Sequence, residues 1–390
     1  MERSSRRAVG LGTFALAFSL TVGCGTERPP VADGSSGGNA PSSGGGPRFD
    51  PNSGAKPPGC GTKPDGSECE CLDVPLFVDA PTIYFVLDRS GSMAASDKWH
   101  QVRVTVAKIM RSLGPRANFG AMIFPGISAS DVCAPGKEVM PVTPGDPPSS
   151  GIDGPTTTML LSSTRVSPVG GTPTGSSLQA ARSRLANVSG RKFVILATDG
   201  APNCNPTASC GYTLCQPNME NMPGCPKDGP FNCCEPPDGY RENCTDTAST
   251  LGAIAALKSS GIPVYVVGLP GAAPYATLLD EMAQAGGTAL PSSPRYFAVN
   301  AASEDVMLAA LKKIAAQITG TCTFDLEEEP ANASLVNVYM DDVVVPYEPV
   351  NGWTISGKTV TLVGASCERV KNGDVLDVRI IAGCPRIEPK

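Results

Sequence analysis

The chain has 390 residues, a net charge of −6, 41% apolar and 17% charged residues. That suits a globular protein with a sizeable core and excludes a basic nucleic-acid-binding surface. Forty-three Gly and 38 Pro point to long loops and linkers, and fifteen Cys with no Cys-x-x-Cys pair speak for disulfides and against both a reduced cytosol and a zinc ribbon.

The first segment carries Arg3, Arg6 and Arg7 ahead of an apolar run, Ala8 to Leu20, followed by Thr21-Val22-Gly23-Cys24. This resembles a bacterial lipoprotein signal, which implies removal of residues 1–23, lipidation at Cys24 and a mature net charge of −8, since the leader holds three Arg and one Glu. The Ser5-Arg6-Arg7 triplet leaves the twin-arginine route open beside the general one. The apolar run is too short to span a bilayer, so anchoring is expected through lipid. Residues 24–58 are Gly, Ser, Pro and Asn with almost no apolar content and read as a flexible tether. A lead-in over 59–79 holds Cys60, Cys69 and Cys71.

From Pro81 strands and helices alternate, which predicts an α/β fold with a doubly wound, mainly parallel sheet. The run Ile83-Tyr84-Phe85-Val86-Leu87 suits a strand buried on both faces. A helix is predicted over Lys98 to Leu113, with Val102, Val106, Ile109, Met110 and Leu113 as its apolar stripe and Gly114-Pro115 as its stop. Strands are predicted at 118–124, 137–142, 191–198, 262–269 and 295–299, and helices at 176–186, 247–260, 277–285 and 303–318. The last part, 321–390, alternates with period two and predicts a small antiparallel β domain with Trp353 in its core and a hairpin turn at Asp341-Asp342.

The first buried strand ends in Asp88-Arg89-Ser90-Gly91-Ser92, where a carboxylate and two hydroxyls alternate and Gly91 permits a tight turn. These hard oxygens suit a small divalent cation. Further on stand Thr172, in Gly-Gly-Thr-Pro-Thr, and Asp199, in Thr-Asp-Gly after the strand Phe193 to Ala197. Asp-x-Ser-x-Ser followed by a distant Thr and a distant Asp resembles the metal-ion-dependent adhesion site of von Willebrand factor A (vWA) domains, over residues 80–320. The resemblance implies Asp88, Ser90, Ser92, Thr172 and Asp199 as metal residues, the hydroxyls binding directly and the carboxylates partly through water. It also implies an antiparallel edge strand at 137–142. The cation is expected to be Mg²⁺, with Mn²⁺ or Ca²⁺ served by the same donors. The partner is expected to be a protein that offers an Asp or Glu carboxylate as the last ligand.

An enzymatic reading is weaker. A haloacid-dehalogenase-type phosphatase wants a second Asp at position 90, which is Ser90, and the chain's one histidine, His100, lies in a helix away from any reactive Ser pattern. No phosphate-cradling glycine loop is present. The expectation is a non-enzymatic adhesion module on the bacterial envelope, with a structural envelope protein as the alternative.

An insertion over 201–246 leaves from the strand end that carries Asp199 and holds Cys204, Cys210, Cys215, Cys225, Cys233, Cys234 and Cys244. It is expected beside the metal residues, stapled by disulfides. Cys133, in a loop on the same face, makes the odd number even. Of the remaining Cys60, Cys69, Cys71, Cys322, Cys367 and Cys384, one bridge is expected from the 60–71 lead-in to the tail and another between Cys367 and Cys384.

Overall fold

The structure, a computed structural model, describes residues 72–73 and 80–387 apart from 129, 148–152, 230, 238, 302, 327–328, 331, 341–342, 373 and 376–377. The leader, the tether, Cys24, Cys60, Cys69, Cys71 and the Asp341-Asp342 turn lie outside the described residues. In chain order the elements are β1 (Leu72–Asp73), β2 (Thr82–Asp88), α1 (Lys98–Leu113), β3 (Asn118–Phe124), β4 (Lys137–Pro144), α2 (Pro155–Ser163), α3 (Thr174–Leu185), β5 (Lys192–Thr198), α4 (Gln216–Met219), α5 (Thr247–Ser259), β6 (Val264–Gly268), α6 (Ala276–Gly286), β7 (Phe297–Ala298), α7 (Glu304–Thr319), β8 (Thr323–Asp325), β9 (Val336–Met340), β10 (Val343–Val345), β11 (Trp353–Ser356), β12 (Thr359–Leu362), α8 (Gly364–Asn372) and β13 (Val378–Ala382).

Six strands form the main sheet in the order β4-β3-β2-β5-β6-β7. All pairs are parallel except β3 with β4, which puts the expected antiparallel strand at one edge. Every residue of β2 is buried, because both sheet faces are covered. Ile83, Phe85 and Leu87 point into a core shared with α1 and α7, through Val102, Val106, Ile109, Leu311 and Ile314. Tyr84 and Val86 point the other way, against α3, α5 and α6, through Leu178, Ile254, Leu257, Leu279 and Met282. Period two in the strand thus meets period 3.6 in the helices on both sides. Each fully buried aliphatic side chain contributes about 1.5–3 kcal/mol.

α1 ends where the sequence places its stop. Gly114 takes φ +52°, strained for any L side chain, and donates its N–H to Met110 O.

The sequence reading did not contain α2, which lacks a clear apolar period. It is held instead by Asp146, whose carboxylate accepts the N–H groups of Thr156 (2.7 Å) and Thr157 (2.8 Å) and the Thr157 hydroxyl (2.6 Å). Burial raises the Asp146 carboxyl, but the bonds from Thr157 and Thr156 outweigh it and hold the group below the usual range. A depressed carboxyl stabilises the fold above the unfolded-state value and ceases to as pH falls through the folded one. Asp146→Ala is therefore expected to lose about 1–3 kcal/mol near pH 7. Thermal melts should show the gap to wild type shrinking as pH falls below the ordinary carboxylate range; a gap of constant size would contradict the assignment.

Beyond α7 the chain builds two antiparallel sheets, β11-β12-β8 and β13-β9-β10, the second joined at its edge by β1 from ahead of β2. Trp353, 1% exposed, sits in their shared core with Val338, Val360, Leu362 and Ile380. The expected Cys367–Cys384 bridge is corrected here: Cys367 bonds Cys322. The reason is α8, which period-two reading missed. β12 pairs with β8, Leu362 N–H donates to Cys322 O (2.7 Å), and one turn of α8 then returns Cys367 to Cys322. Cys384 is also disulfide-bonded.

Candidate metal centre

β2 runs on to β3 on one side, while β5, its neighbour on the other side, is reached only later. The crevice between β2 and β5 is therefore the topological switch point, and ligands of open α/β sheets bind at the carboxyl ends of strands there. Leu87 pairs with Ala197, so Asp88 and Asp199 leave the sheet at the same edge.

The side chains converge. Asp88 is fully buried; its Oδ1 accepts Ser90 N–H (2.8 Å) and its Oδ2 accepts the Thr198 hydroxyl (2.6 Å). Ser90 and Ser92 hydroxyls lie 3.1 Å apart, and the Ser92 hydroxyl donates to Asp199 Oδ1 (2.7 Å). Lys98 Nζ pairs with Asp199 Oδ2 and also donates to Pro270 O (3.0 Å). The expected need for glycine in a tight turn is not met at Gly91: its φ lies outside the left-handed region and a Cβ there would meet only Gly170 O at 3.6 Å, while its N–H, as any residue's could, donates to Gly170 O (3.0 Å). That bond ties the first motif to the Gly170-Gly171-Thr172 loop. Thr172 is buried and fixed from both sides of its peptide: its N–H donates to Asn203 Oδ1 (2.7 Å), and its O accepts Asn203 N–H (2.9 Å).

The electrostatics ask for positive charge. Burial, with the neighbouring Asp199 second, pushes the Asp88 carboxyl up to about 7. Lys98 answers the charge of Asp199; the hydroxyls and N–H groups around Asp88 are neutral. Two carboxylates and the hydroxyls of Ser90 and Ser92 form an all-oxygen donor set that fits a hard divalent cation, and Thr172 stands in the loop joined to them through the Gly91–Gly170 bond.

Four residues here went unassigned in the sequence. Thr198 stands beside Asp199 in the same Thr-Asp-Gly motif and was legible as a hydroxyl at a strand end. Arg89 lies inside the first motif. Its guanidinium donates to Pro125 O (2.9 Å), Gly126 O (2.9 Å) and Ser167 O (2.8 Å), and its own O accepts Val169 N–H (2.9 Å), so it stitches three loops together. Lys98 and Asn203 reach the site only through tertiary folding, and no local pattern marks them. His100 is exposed on α1.

The insertion lies beside this centre. Cys133 bonds Cys204, as parity suggested, and Cys225 bonds Cys233. Glu220, just past α4, is raised mainly by burial, against a hydrogen bond from the Tyr275 hydroxyl (3.5 Å) and with a smaller contribution from Asp199.

The family model for the von Willebrand factor type A domain matches residues 82–212. No curated protein sequence matches the chain. Among solved structures it is similar to the pilus adhesin SpaC from Lactobacillus rhamnosus GG, at 18% identity and TM-score 0.47, covering 80% of this chain and 40% of that one. It is similar to the vWF domain of the type V pili tip protein Mfa5 from Porphyromonas gingivalis, at 16% identity and TM-score 0.40, covering 63% and 96%. It is also similar to manganese-loaded TRAP protein from Plasmodium vivax, at 15% identity and TM-score 0.37, covering 62% and 74%. The chain thus spans about 40% of the length of the first of these. With the family match over residues 82–212 and a mainly parallel six-stranded sheet between two helical layers, the chain has the fold of a von Willebrand factor type A domain, extended by antiparallel sheets toward its C-terminus.

Proposed function

We propose that this chain is a divalent-cation-dependent protein-binding module, adhesive in role, held on the bacterial envelope by lipid at Cys24. The observation that carries the reading is the meeting of Asp88, Ser90, Ser92 and Asp199 at the β2–β5 switch point, with Thr172 tied to the same edge. Those five residues would hold the ion. When bound, the ion supplies an electrophilic position for a carboxylate of a protein partner. The chain's own residues prepare that position. Ser90 N–H and the Thr198 hydroxyl orient Asp88, Lys98 balances Asp199, and Asn203 sets the Thr172 backbone. In this reading residues 24–58 are the tether, 80–320 the vWA domain with its 201–246 insertion, and 321–390 a small β domain.

Calorimetry of the oxidised full chain with manganese chloride tests it. One ion per chain is expected, with Thr172→Ala weakening binding at least about tenfold, the equivalent of 1.4 kcal/mol. Absence of binding, or binding indifferent to Thr172→Ala, would sink the proposal. One observation favours a second reading, a structural envelope protein: Lys98 already gives Asp199 a fixed positive partner. An adhesin loses its partner in Asp88→Ala, whereas a structural protein chiefly loses melting temperature.

A further inference from the structure

Four cysteines of the insertion carry thiols here: Cys210, Cys215, Cys234 and Cys244. They gather in one small core, with Cys215, Cys234 and Cys244 wholly buried. Two facts about their placement single out a pairing. Cys210 Sγ and Cys234 Sγ lie 2.9 Å apart. Cys215 and Cys244 face each other across an isolated antiparallel bridge. Thr245 N–H donates to Leu214 O (3.3 Å), which makes that bridge the non-hydrogen-bonded kind. Facing residues of that kind have Cα atoms about 4.5 Å apart, within disulfide reach.

A metal is the competing use of such a cluster. The sulfurs of Cys210, Cys234 and Cys244 all lie within 4.8 Å of one another, but Cys215 does not complete that group. A closed structural zinc site takes four ligands, and Zn–S bonds of about 2.3 Å put two thiolates roughly 3.8 Å apart. The 2.9 Å approach of Cys210 to Cys234 is tighter than that. The chain's other described cysteines, Cys133, Cys204, Cys225, Cys233, Cys322, Cys367 and Cys384, are all disulfide-bonded, which sets an oxidising context.

The position of the pair gives it a task. Gln216, next to Cys215, accepts Asn203 Nδ2–H at its Oε1 (2.6 Å) and donates to Ala201 O. Asn203 in turn holds the Thr172 peptide from both sides. On the far side Cys204, next to Asn203, is bonded to Cys133, and Val132 O accepts Gly171 N–H (3.0 Å).

We propose that Cys210–Cys234 and Cys215–Cys244 close as two further disulfides, and that the second braces Thr172 through Gln216 and Asn203. Each closure is an exchange with an oxidised disulfide of a protein thiol oxidase. One S–S bond forms in the chain and one breaks in the oxidant, whose dithiol receives the two protons and two electrons. Gln216 and Asn203 are then positioning residues for Thr172, and the brace stands whether or not the centre takes a cation.

The test uses the full chain exported to an oxidising compartment, alkylated without reduction and mapped by mass spectrometry. Chymotryptic cleavage after Tyr212 separates Cys210 from Cys215. No alkylation is expected at any of these four in wild type. Cys215→Ser should release Cys244 alone, and Cys210→Ser should release Cys234 alone. Amide hydrogen exchange then reads the brace: in Cys215→Ser/Cys244→Ser the segment 170–175 should exchange at least tenfold faster, with β5 unchanged. Four alkylated thiols in wild type would overturn the pairing. So would one zinc ion per chain by elemental analysis with alkylation only after chelation, or release of a different cysteine. Unchanged exchange at 170–175 in the double variant would overturn the brace.

Discussion

Asp88→Asn is expected to abolish divalent-cation binding and, in the same step, to raise the melting temperature of the cation-free chain at pH 8. The two effects share one cause. Asp88 is fully buried beside Asp199, and its carboxyl is pushed from 3.8 to about 7, by burial first and by Asp199 second. Between those values the native state keeps a proton that the unfolded state has lost. Cation-free stability therefore falls as pH rises through that window, and the full penalty stands above it. Its size is on the order of a few kcal/mol. Asn keeps the shape: its carbonyl can accept Ser90 N–H, and its amide can donate to the Thr198 hydroxyl, while no charge is buried. Thermal melts with chelator at pH 5 and pH 8 should show wild type losing stability with pH and Asp88→Asn holding level. Added manganese should restore wild type alone. A variant that binds manganese as wild type does, or melts below it at pH 8 without cation, would refute this account.

Trp353→Ala is expected to be the most damaging single truncation in the C-terminal sheets, at about 3–5 kcal/mol. Trp353 is 1% exposed, opposes Leu362 across β11–β12, and donates its indole N–H to Val345 O (3.0 Å). Tyr347 meets it edge-on at 4.9 Å, and the Arg386 guanidinium lies 3.6 Å from the Tyr347 ring centre. Truncation removes the packing, the indole hydrogen bond to Val345 O and the ring contact with Tyr347. Urea titration followed by circular dichroism should record the loss; a change below about 1 kcal/mol would show that the two sheets pack without it.

Much of this architecture is written locally. β2 and β3 are unbroken apolar runs and α1 has a clear apolar stripe and stop, and their ends fall within a residue of where the sequence places them. The five candidate side chains were legible as residue types in short motifs, Asp-x-Ser-x-Ser at the end of β2, Thr-Asp-Gly at the end of β5 and Gly-Gly-Thr in the loop ahead of α3. What the sequence hid is held by long-range contact. α2 rests on a carboxylate cap from Asp146 rather than on an apolar stripe. β11 and α8 lie in a segment where short strands and a polar helix share the same sparse apolar content. Lys98 looked like an ordinary first residue of a helix; only the packing of α1 on the sheet brings its ammonium to Asp199, 101 positions away.

The small strand β1 changes how the molecule would carry a load. Leu72 and Asp73 pair with Ala382 and Ile381, so the residues just ahead of the vWA sheet are laced to the last strand of the chain. A pull on the segment preceding Leu72 enters the β1-β13-β9-β10 sheet before it reaches β2. The first bonds to bear that tension would be those of a two-residue strand at the sheet's edge, ahead of any in the β2–β5 crevice.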